Sequence, residues 1–140
     1  MKILEAKGKN AYNTKAYTRS RASQEYAQHA NFSEMKKRIS FLSTLQHGWD
    51  GYNAFPISSI VIENVHELLS SIDEDCLSGW RALPEINGTI SLQNDMLRAG
   101  IQIGDKTLSY FVIKGDNVTG EDNVAFSISN FVNILKSING

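Results

Sequence analysis

Two side chains near the middle of the sequence, His47 and Asp50, are of the types that perform general acid–base catalysis. An imidazole and a carboxylate can act together when they lie within hydrogen-bond reach of each other. Such a dyad would still need a nucleophile and an oxyanion hole, and the chain has no Gly-x-Ser-x-Gly or comparable motif. His66, between Val65 and Glu67, is predicted to be a partly exposed helix residue. We therefore predict that the chain is not an enzyme.

Three acidic residues, Asp116, Glu121 and Asp122, carry oxygen atoms of the kind that bind calcium. A calcium loop needs oxygen ligands at alternate positions, and Val118 occupies the first of these after Asp116. The chain also lacks a glycine-rich phosphate loop and a dinucleotide-binding fingerprint. The prediction is a solvated acidic segment, with no metal and no cofactor.

Cys76 is the only cysteine, which excludes an intramolecular disulfide and a zinc cluster built on cysteines. It follows the acidic run 73–75, whose charges raise a thiol pKa, so it is a poor nucleophile.

Residues 1–7 are too charged for a signal peptide, and the longest apolar runs are too short to span a membrane. These features predict a cytoplasmic protein with no membrane partner.

The most distinctive segment is residues 47–57, here called the aromatic loop, which holds two glycines and three large aromatic residues. One interpretation is structural: Trp49 and Phe55 fill the core, and Asp50 makes a side-chain turn or caps nearby amides. The other is a recognition loop, because rigidly held surface aromatics are typical binding hot spots. The candidate partner-binding residues here are Trp49, Asp50, Tyr52 and Phe55.

The same segment resembles a group of small uncharacterised bacterial and phage proteins with the signature Gly-Trp-Asp-Gly-Tyr-x-Ala-x-Pro-Ile. The matching residues are Gly48, Trp49, Asp50, Gly51, Tyr52, Ala54, Pro56 and Ile57. The resemblance covers residues 42–113 and implies a helix followed by a β-meander, in a microbial cytoplasmic protein. It implies no catalytic residues.

The charge is distributed unevenly along the chain. Residues 1–38 hold nine basic and three acidic residues, whereas residues 39–140 hold five basic and twelve acidic ones. Residues 1–31 show no helical or strand periodicity and are predicted to form a polar basic arm. Tyrosines interleave with basic residues there, a mixture that can neutralise phosphates and stack on bases: Tyr12, Lys15, Tyr17, Arg19 and Arg21.

Helical periodicity is clear in three places. The first helix is predicted from Ser33, as its N-cap, to Leu45, before His47-Gly48. The second is capped by Ser58 or Ser59 and ends at the acidic run 73–75. The last begins near Ser127 or Ser129. The predicted buried stripes are Met35, Ile39, Leu42 and Leu45; then Val61, Val65, Leu68, Leu69 and Ile72; and finally Ile128, Phe131, Val132, Leu135 and Ile138.

Strand alternation marks residues 82–113 as a β-meander of four strands. The predicted strands are residues 82–86, 89–93, 96–103 and 106–113, separated by Asn-Gly, Asn-Asp and Gly-Asp dipeptides that favour tight turns. Residues 114–123 are predicted to be a polar loop. The expected class is therefore α+β, with two N-terminal helices, an antiparallel four-stranded meander and a C-terminal helix, all in one domain over residues 32–140.

Composition is that of an ordinary globular chain, with 41% hydrophobic and 21% charged residues among 140. With no catalytic motif, we predict a non-catalytic module that binds another protein or a second copy of itself. A toxin-neutralising protein would fit this design. The alternative, from a different class, is a nucleic-acid-associated protein that uses the basic arm.

Overall fold

The computed structural model of the chain describes residues 34–140, so the predicted arm lies outside the described residues. Helix α1 spans residues 34–42, and helix α2 spans Ser59–Ser71. A short 3₁₀ helix, Glu74–Leu77, precedes the sheet. The strands are β1 Arg81–Pro84, β2 Ile90–Asn94, β3 Ala99–Ile103, β4 Thr107–Lys114 and β5 Asn117–Ala125, and helix α3 spans Ile128–Asn139.

The α+β class is confirmed, but the predicted architecture is wrong. Over residues 34–140 the sheet has five strands rather than four, in the order β1-β2-β3-β4-β5, with every neighbouring pair antiparallel. The fifth strand lies where a polar loop was predicted. This strand has nine residues, and the first seven of them, Asn117 to Asn123, are all exposed. No alternation of apolar and polar residues therefore marks it as a strand. The helical part also differs, since a 3₁₀ helix separates α2 from the sheet.

Helix α1 ends three residues earlier than its apolar spacing predicts. Met35, Ile39 and Leu42 are buried on one face, but the next turn is tightened. The hydroxyl of Ser43 donates to the Ser40 carbonyl, and that of Thr44 donates to the Phe41 carbonyl. Hydroxyls that bond to the last carbonyls of a helix compete with further helical turns. Ser33, the predicted N-cap, lies outside the described residues.

Serine hydroxyls set the beginnings of the other two helices. Ser58 Oγ accepts a hydrogen bond from the Ile60 amide at the start of α2, and Ser127 Oγ accepts from the Asn130 amide at the start of α3. A serine N-cap satisfies one of the free amides of the first turn. Each of the two helices therefore begins at a serine that the sequence pattern had singled out.

One face of the sheet carries the core. Alternate residues of the central strands, such as Leu92 of β2, Ile101 of β3 and Leu108 of β4, are 1% exposed or less. They share a single hydrophobic cluster with the buried residues of all three α-helices. The opposite face, called the outer face below, carries Gly100 of β3, which lies against the ring of Phe111 in β4. Among the described residues, no helix is long and apolar enough to cross a membrane.

Candidate protein-binding surface

The aromatic loop joins α1 to α2 and closes on itself through backbone hydrogen bonds. The Gly48 amide donates to the Ala54 carbonyl at 2.8 Å, and the Gly51 amide donates to the Gly48 carbonyl at 2.8 Å. Both glycines have positive φ, at 81° and 84°, a backbone conformation that residues with a Cβ rarely adopt. The two glycines of the motif are therefore what allows the loop to fold back over so few residues.

Asp50 holds the tip of the loop with one carboxylate oxygen. Its Oδ1 accepts hydrogen bonds from the Tyr52 amide at 2.9 Å and from the Ala54 amide at 3.1 Å. This is the side-chain turn that an aspartate at this position predicts. Because the acceptor is bound to two backbone amides of its own loop, the role of Asp50 is to fix the loop conformation.

The two large aromatics at the ends of the loop do not fill the core as the structural interpretation predicted. Trp49 is half-buried, and Phe55 is 57% exposed. Trp49 Nε1 instead donates to the Phe55 carbonyl at 2.7 Å, which ties the two ends together. The loop residues that enter the interior are small or aliphatic, Ala54 and Ile57. The tight closure of the loop leaves room inside for these side chains, while the Phe55 ring projects outwards.

The far end of the loop is attached to the turn between β1 and β2. The Phe55 amide donates to the Ile86 carbonyl at 2.9 Å, and the Ser58 amide donates to the Gly88 carbonyl at 3.0 Å. Gly88 has φ of 90°, and a Cβ placed there would lie 3.0 Å from the Pro56 carbonyl oxygen. The loop and the sheet therefore meet backbone to backbone at this glycine.

This attachment places two exposed apolar residues from distant parts of the sequence, Phe55 and Ile86, next to each other. Ile86, from the β1–β2 turn, is 64% exposed, and its own carbonyl is the acceptor of the Phe55 amide. The His47 ring lies 6.0 Å from the Phe55 ring, between centroids. Tyr52, at the tip of the loop, is 79% exposed. We call Tyr52, Phe55 and Ile86 the exposed loop surface. Ile86 was assigned to a strand from the sequence, so its place here was missed.

His47 and Asp50 do not form a dyad in this arrangement. His47 contacts Phe55, whereas Asp50 is bonded to the amides of Tyr52 and Ala54. Among the contacts of the described residues, no hydrogen bond or ion pair joins the two side chains. Asp50 therefore serves the conformation of the aromatic loop, as the structural interpretation of this loop predicts.

The acidic residues considered for calcium are spread along the hairpin of β4 and β5. Asp116 lies in the turn, whereas Glu121 and Asp122 lie in β5. Within residues 34–140, no group of three acidic, histidine or cysteine side chains could hold a metal ion.

The Cys76 thiol lies in the 3₁₀ helix before the sheet and is exposed. Partial burial raises its pKa above the usual value, and the negative charges of Asp73 and Asp75 raise it further. A backbone hydrogen bond from Asp73 opposes these effects. At neutral pH the reactive thiolate is therefore scarce.

A concave feature lies between α1 and the edge strand β1. It has a volume of about 500 Å³ and is lined mainly by Met35, Arg38, Trp80 and Leu83. Arg38 lines it, with Nε donating to the Ala82 carbonyl at 3.0 Å and the guanidinium 5.7 Å from the Phe41 ring centroid. This contact closes part of the edge of β1.

The arm residues singled out from the sequence, Tyr12, Lys15, Tyr17, Arg19 and Arg21, lie outside the described residues. Comparisons with protein-family models, with curated proteins and with solved structures found no match for this chain. The resemblance carried by the aromatic loop therefore stays a prediction from its motif.

Proposed function

We propose that this chain is a non-catalytic protein-binding module whose contact with its partner is centred on the exposed loop surface, Tyr52, Phe55 and Ile86. The observation that carries the proposal is that Phe55 is 57% exposed although its backbone is bonded on both sides. Its carbonyl accepts from Trp49 Nε1 at 2.7 Å, and its amide donates to Ile86 at 2.9 Å.

Rigidity of this kind favours binding for a physical reason. Association costs conformational entropy when flexible side chains and loops become ordered, so a loop that is already fixed loses less on binding. Aromatic side chains that present a large apolar area with few rotatable bonds are frequent hot spots of protein interfaces. Phe55 and Tyr52 combine both properties, because Asp50 holds the backbone between them.

The test is capture of a partner by the tagged full-length chain, compared with the double variant Phe55→Ser/Ile86→Ser. Met96→Ser is the matched control, since Met96 is an apolar residue that is 92% exposed in the turn before β3. A protein that survives high salt and nuclease treatment, and that is lost only with the double variant, is the expected result. Titration of that purified protein should then show binding at least about tenfold weaker for the double variant.

Equal capture by the double variant and by wild type would overturn the proposed surface. Recovery of nuclease-sensitive material only, lost on deletion of residues 1–31, would favour the alternative function. The observation behind that alternative is the excess of basic residues, with interleaved tyrosines, in the first 38 positions. Binding of this type would weaken steeply as salt rises.

A toxin-neutralising role is the specific form of this proposal that the basic arm and the acidic remainder of the chain suggest. If the captured partner inhibits growth when it is expressed alone, co-expression of the wild-type chain should restore growth. Co-expression of the Phe55→Ser/Ile86→Ser variant should not. A partner without such an effect would rule out this role but would leave the protein-binding module in place.

A further inference from the structure

The two edges of the sheet are built differently. On β1, the Glu85 amide donates to the Thr89 carbonyl, so alternation along the strand turns the backbone groups of Ala82 and Pro84 away from β2. Pro84 has no amide proton to offer. The Ala82 carbonyl is already bonded to Arg38. This edge is therefore largely closed to another strand.

The edge of β5 presents its backbone openly. The Ile113 amide donates to the Arg98 carbonyl on the β3 side, so the backbone groups of Lys114 face β5. Lys114 is paired with Asn117, and alternation then turns the amide and carbonyl of Val118 and Gly120 outwards. Among the described residues, no strand lies beyond β5. Val118 is 66% exposed. A Cβ at Gly120 would meet the Tyr110 carbonyl oxygen of β4, so the glycine permits the close approach of β5 to β4.

The pairing of β5 with β4 keeps one register over Asn117–Glu121 and is then interrupted. The pairing with β4 shifts between Leu108 and Tyr110. At this shift, Asn123 has φ of 59° and its amide donates to Ser109 Oγ. A bulge re-aims the strand and ends regular pairing. The segment available for pairing is therefore about five residues long, which is a usual strand length.

The side chains of this segment differ between its two faces. Val118 is opposite Ile113 on the outer face, on which Phe111 is 43% exposed. Glu121 is opposite Tyr110 on the other face. Asp116 in the turn and Asp122 in the bulge add further negative charge, with Lys114 as the basic residue nearby. An added strand would therefore meet the apolar side chain of Val118 on the outer face and the carboxylate of Glu121 on the other face, with the charge of Asp122 following in the bulge.

Pairing of two β5 edges in an antiparallel dimer is disfavoured by this charge. Such a dimer would bring Asp116, Glu121 and Asp122 of both copies into one narrow ribbon, and like charges on neighbouring strands repel. A partner strand with basic side chains would instead be attracted. Because side chains alternate along a strand, its intervening residues would lie beside Val118 and Phe111.

We propose that the outer edge of β5 accepts an extended segment of a partner protein as a sixth strand, and that this segment alternates basic and apolar residues. Hydrogen bonds to the backbone of Val118 and Gly120 would provide the affinity, and Glu121 would select the basic side chains, with Asp122 adding negative charge beside the end of the segment. This site is distinct from the exposed loop surface, and each of the two proposals can be tested without the other.

The test uses the full-length chain and a short capped peptide in which lysine and valine alternate. Binding is followed by fluorescence anisotropy, and hydrogen exchange of the backbone amides is followed by NMR. Saturating peptide should slow the exchange of the Val118 and Gly120 amides. Val118→Pro, which removes an outward amide proton, should weaken binding by about tenfold or more. A peptide with glutamate in place of lysine should not bind.

A second variant keeps the proposal testable if Val118→Pro does not fold, as judged by circular dichroism. Glu121→Gln/Asp122→Asn should weaken binding several-fold and reduce its salt dependence. The matched control, Glu63→Gln/Glu67→Gln, removes the same charge from exposed positions of α2 and should bind as wild type does. Peptide binding that leaves the exchange of the Val118 and Gly120 amides unchanged would overturn the proposal. The proposal would also be overturned if these amides became more protected as the protein concentration rises without peptide, because the edge would then pair with a second copy of the chain.

Discussion

Trp49 and Phe55 are joined by a hydrogen bond of 2.7 Å from the indole Nε1 of one to the backbone carbonyl of the other. The half-buried tryptophan thereby fixes the backbone of a residue whose own ring is exposed. The two residues therefore have different roles in the aromatic loop. Trp49 stabilises the conformation, and Phe55 presents apolar surface.

Trp49→Phe tests this relationship because it keeps an aromatic ring but removes the indole donor. Loss of one hydrogen bond at a partly exposed site should lower the free energy of unfolding by about 1 kcal/mol, measured by urea denaturation. Tyr52→Phe is the control. It removes a hydroxyl from a side chain that is 79% exposed, and it should change stability by less than about 0.5 kcal/mol. Equal effects of the two variants would contradict the assigned role of Trp49.

Asp50 should be replaceable by asparagine but not by alanine. Asp50→Ala removes the acceptor of the Tyr52 and Ala54 amides and should cost about 1–2 kcal/mol in thermal or urea unfolding. Asp50→Asn retains an Oδ1 acceptor, so most of that stability should remain. If both variants lost the same stability, the negative charge rather than the hydrogen bonds would be the important property of Asp50.

Gly88 and Gly51 allow backbone strain to be separated from steric contact. Both have positive φ, but a Cβ at Gly51 would meet nothing within 4 Å, whereas a Cβ at Gly88 would lie 3.0 Å from the Pro56 carbonyl oxygen. Gly51→Ala should therefore cost about 1 kcal/mol, the strain alone. Gly88→Ala should cost more, because the loop must also move away from the turn between β1 and β2. Similar urea midpoints for the two variants would contradict the close backbone contact.

The packing of Phe111 on Gly100 should appear as a coupling between two substitutions. A Cβ at Gly100 would lie 2.7 Å from Phe111 Cε2, so Gly100→Ala forces the ring to move and should lower stability by about 1 kcal/mol. In the Phe111→Ala background the same substitution should cost much less. A double-mutant cycle measures the difference. Additive effects would show that the ring is not what excludes a side chain from position 100.

Cys76 should react slowly with thiol reagents at neutral pH. Burial, followed by the charges of Asp73 and Asp75, raises its pKa, so the thiolate fraction is smaller than in an unfolded chain. Alkylation by iodoacetamide should be slower than in the urea-unfolded protein and should accelerate as pH rises. Asp73→Asn removes one of the charges and should speed the reaction of the folded chain. Equal rates for the folded and unfolded protein would contradict the raised pKa.

The raised pKa of Cys76 also has a consequence for stability, with a defined sign. The folded chain holds the thiol proton more tightly than the unfolded chain does. The corresponding contribution to stability is therefore fully present below the unfolded pKa of the thiol, and it is lost as pH rises through the folded pKa. Cys76→Ser should remove this dependence from denaturation curves measured on the alkaline side of neutrality.

Local chemistry in the sequence was sufficient to place much of this fold. Serine hydroxyls mark the starts of α2 and α3 because a cap needs only the amides of its own first turn. Strands β2 and β3 alternate between apolar residues and polar or small ones because alternate side chains point into the core. The side-chain turn of Asp50 was likewise predictable, since its partners are only two and four residues away.

What the sequence could not determine depends on contacts between distant residues. Strand β5 was missed because seven of its residues in a row are exposed. An exposed strand needs no apolar pattern, so only its pairing with β4 makes this segment a strand. Phe55 was assigned to the core as one alternative, but the bonds from Trp49 and to Ile86 set its ring outside. Whether an aromatic side chain is buried depends on the space the assembled elements leave, and that space is set only when the loop meets the sheet at Gly88.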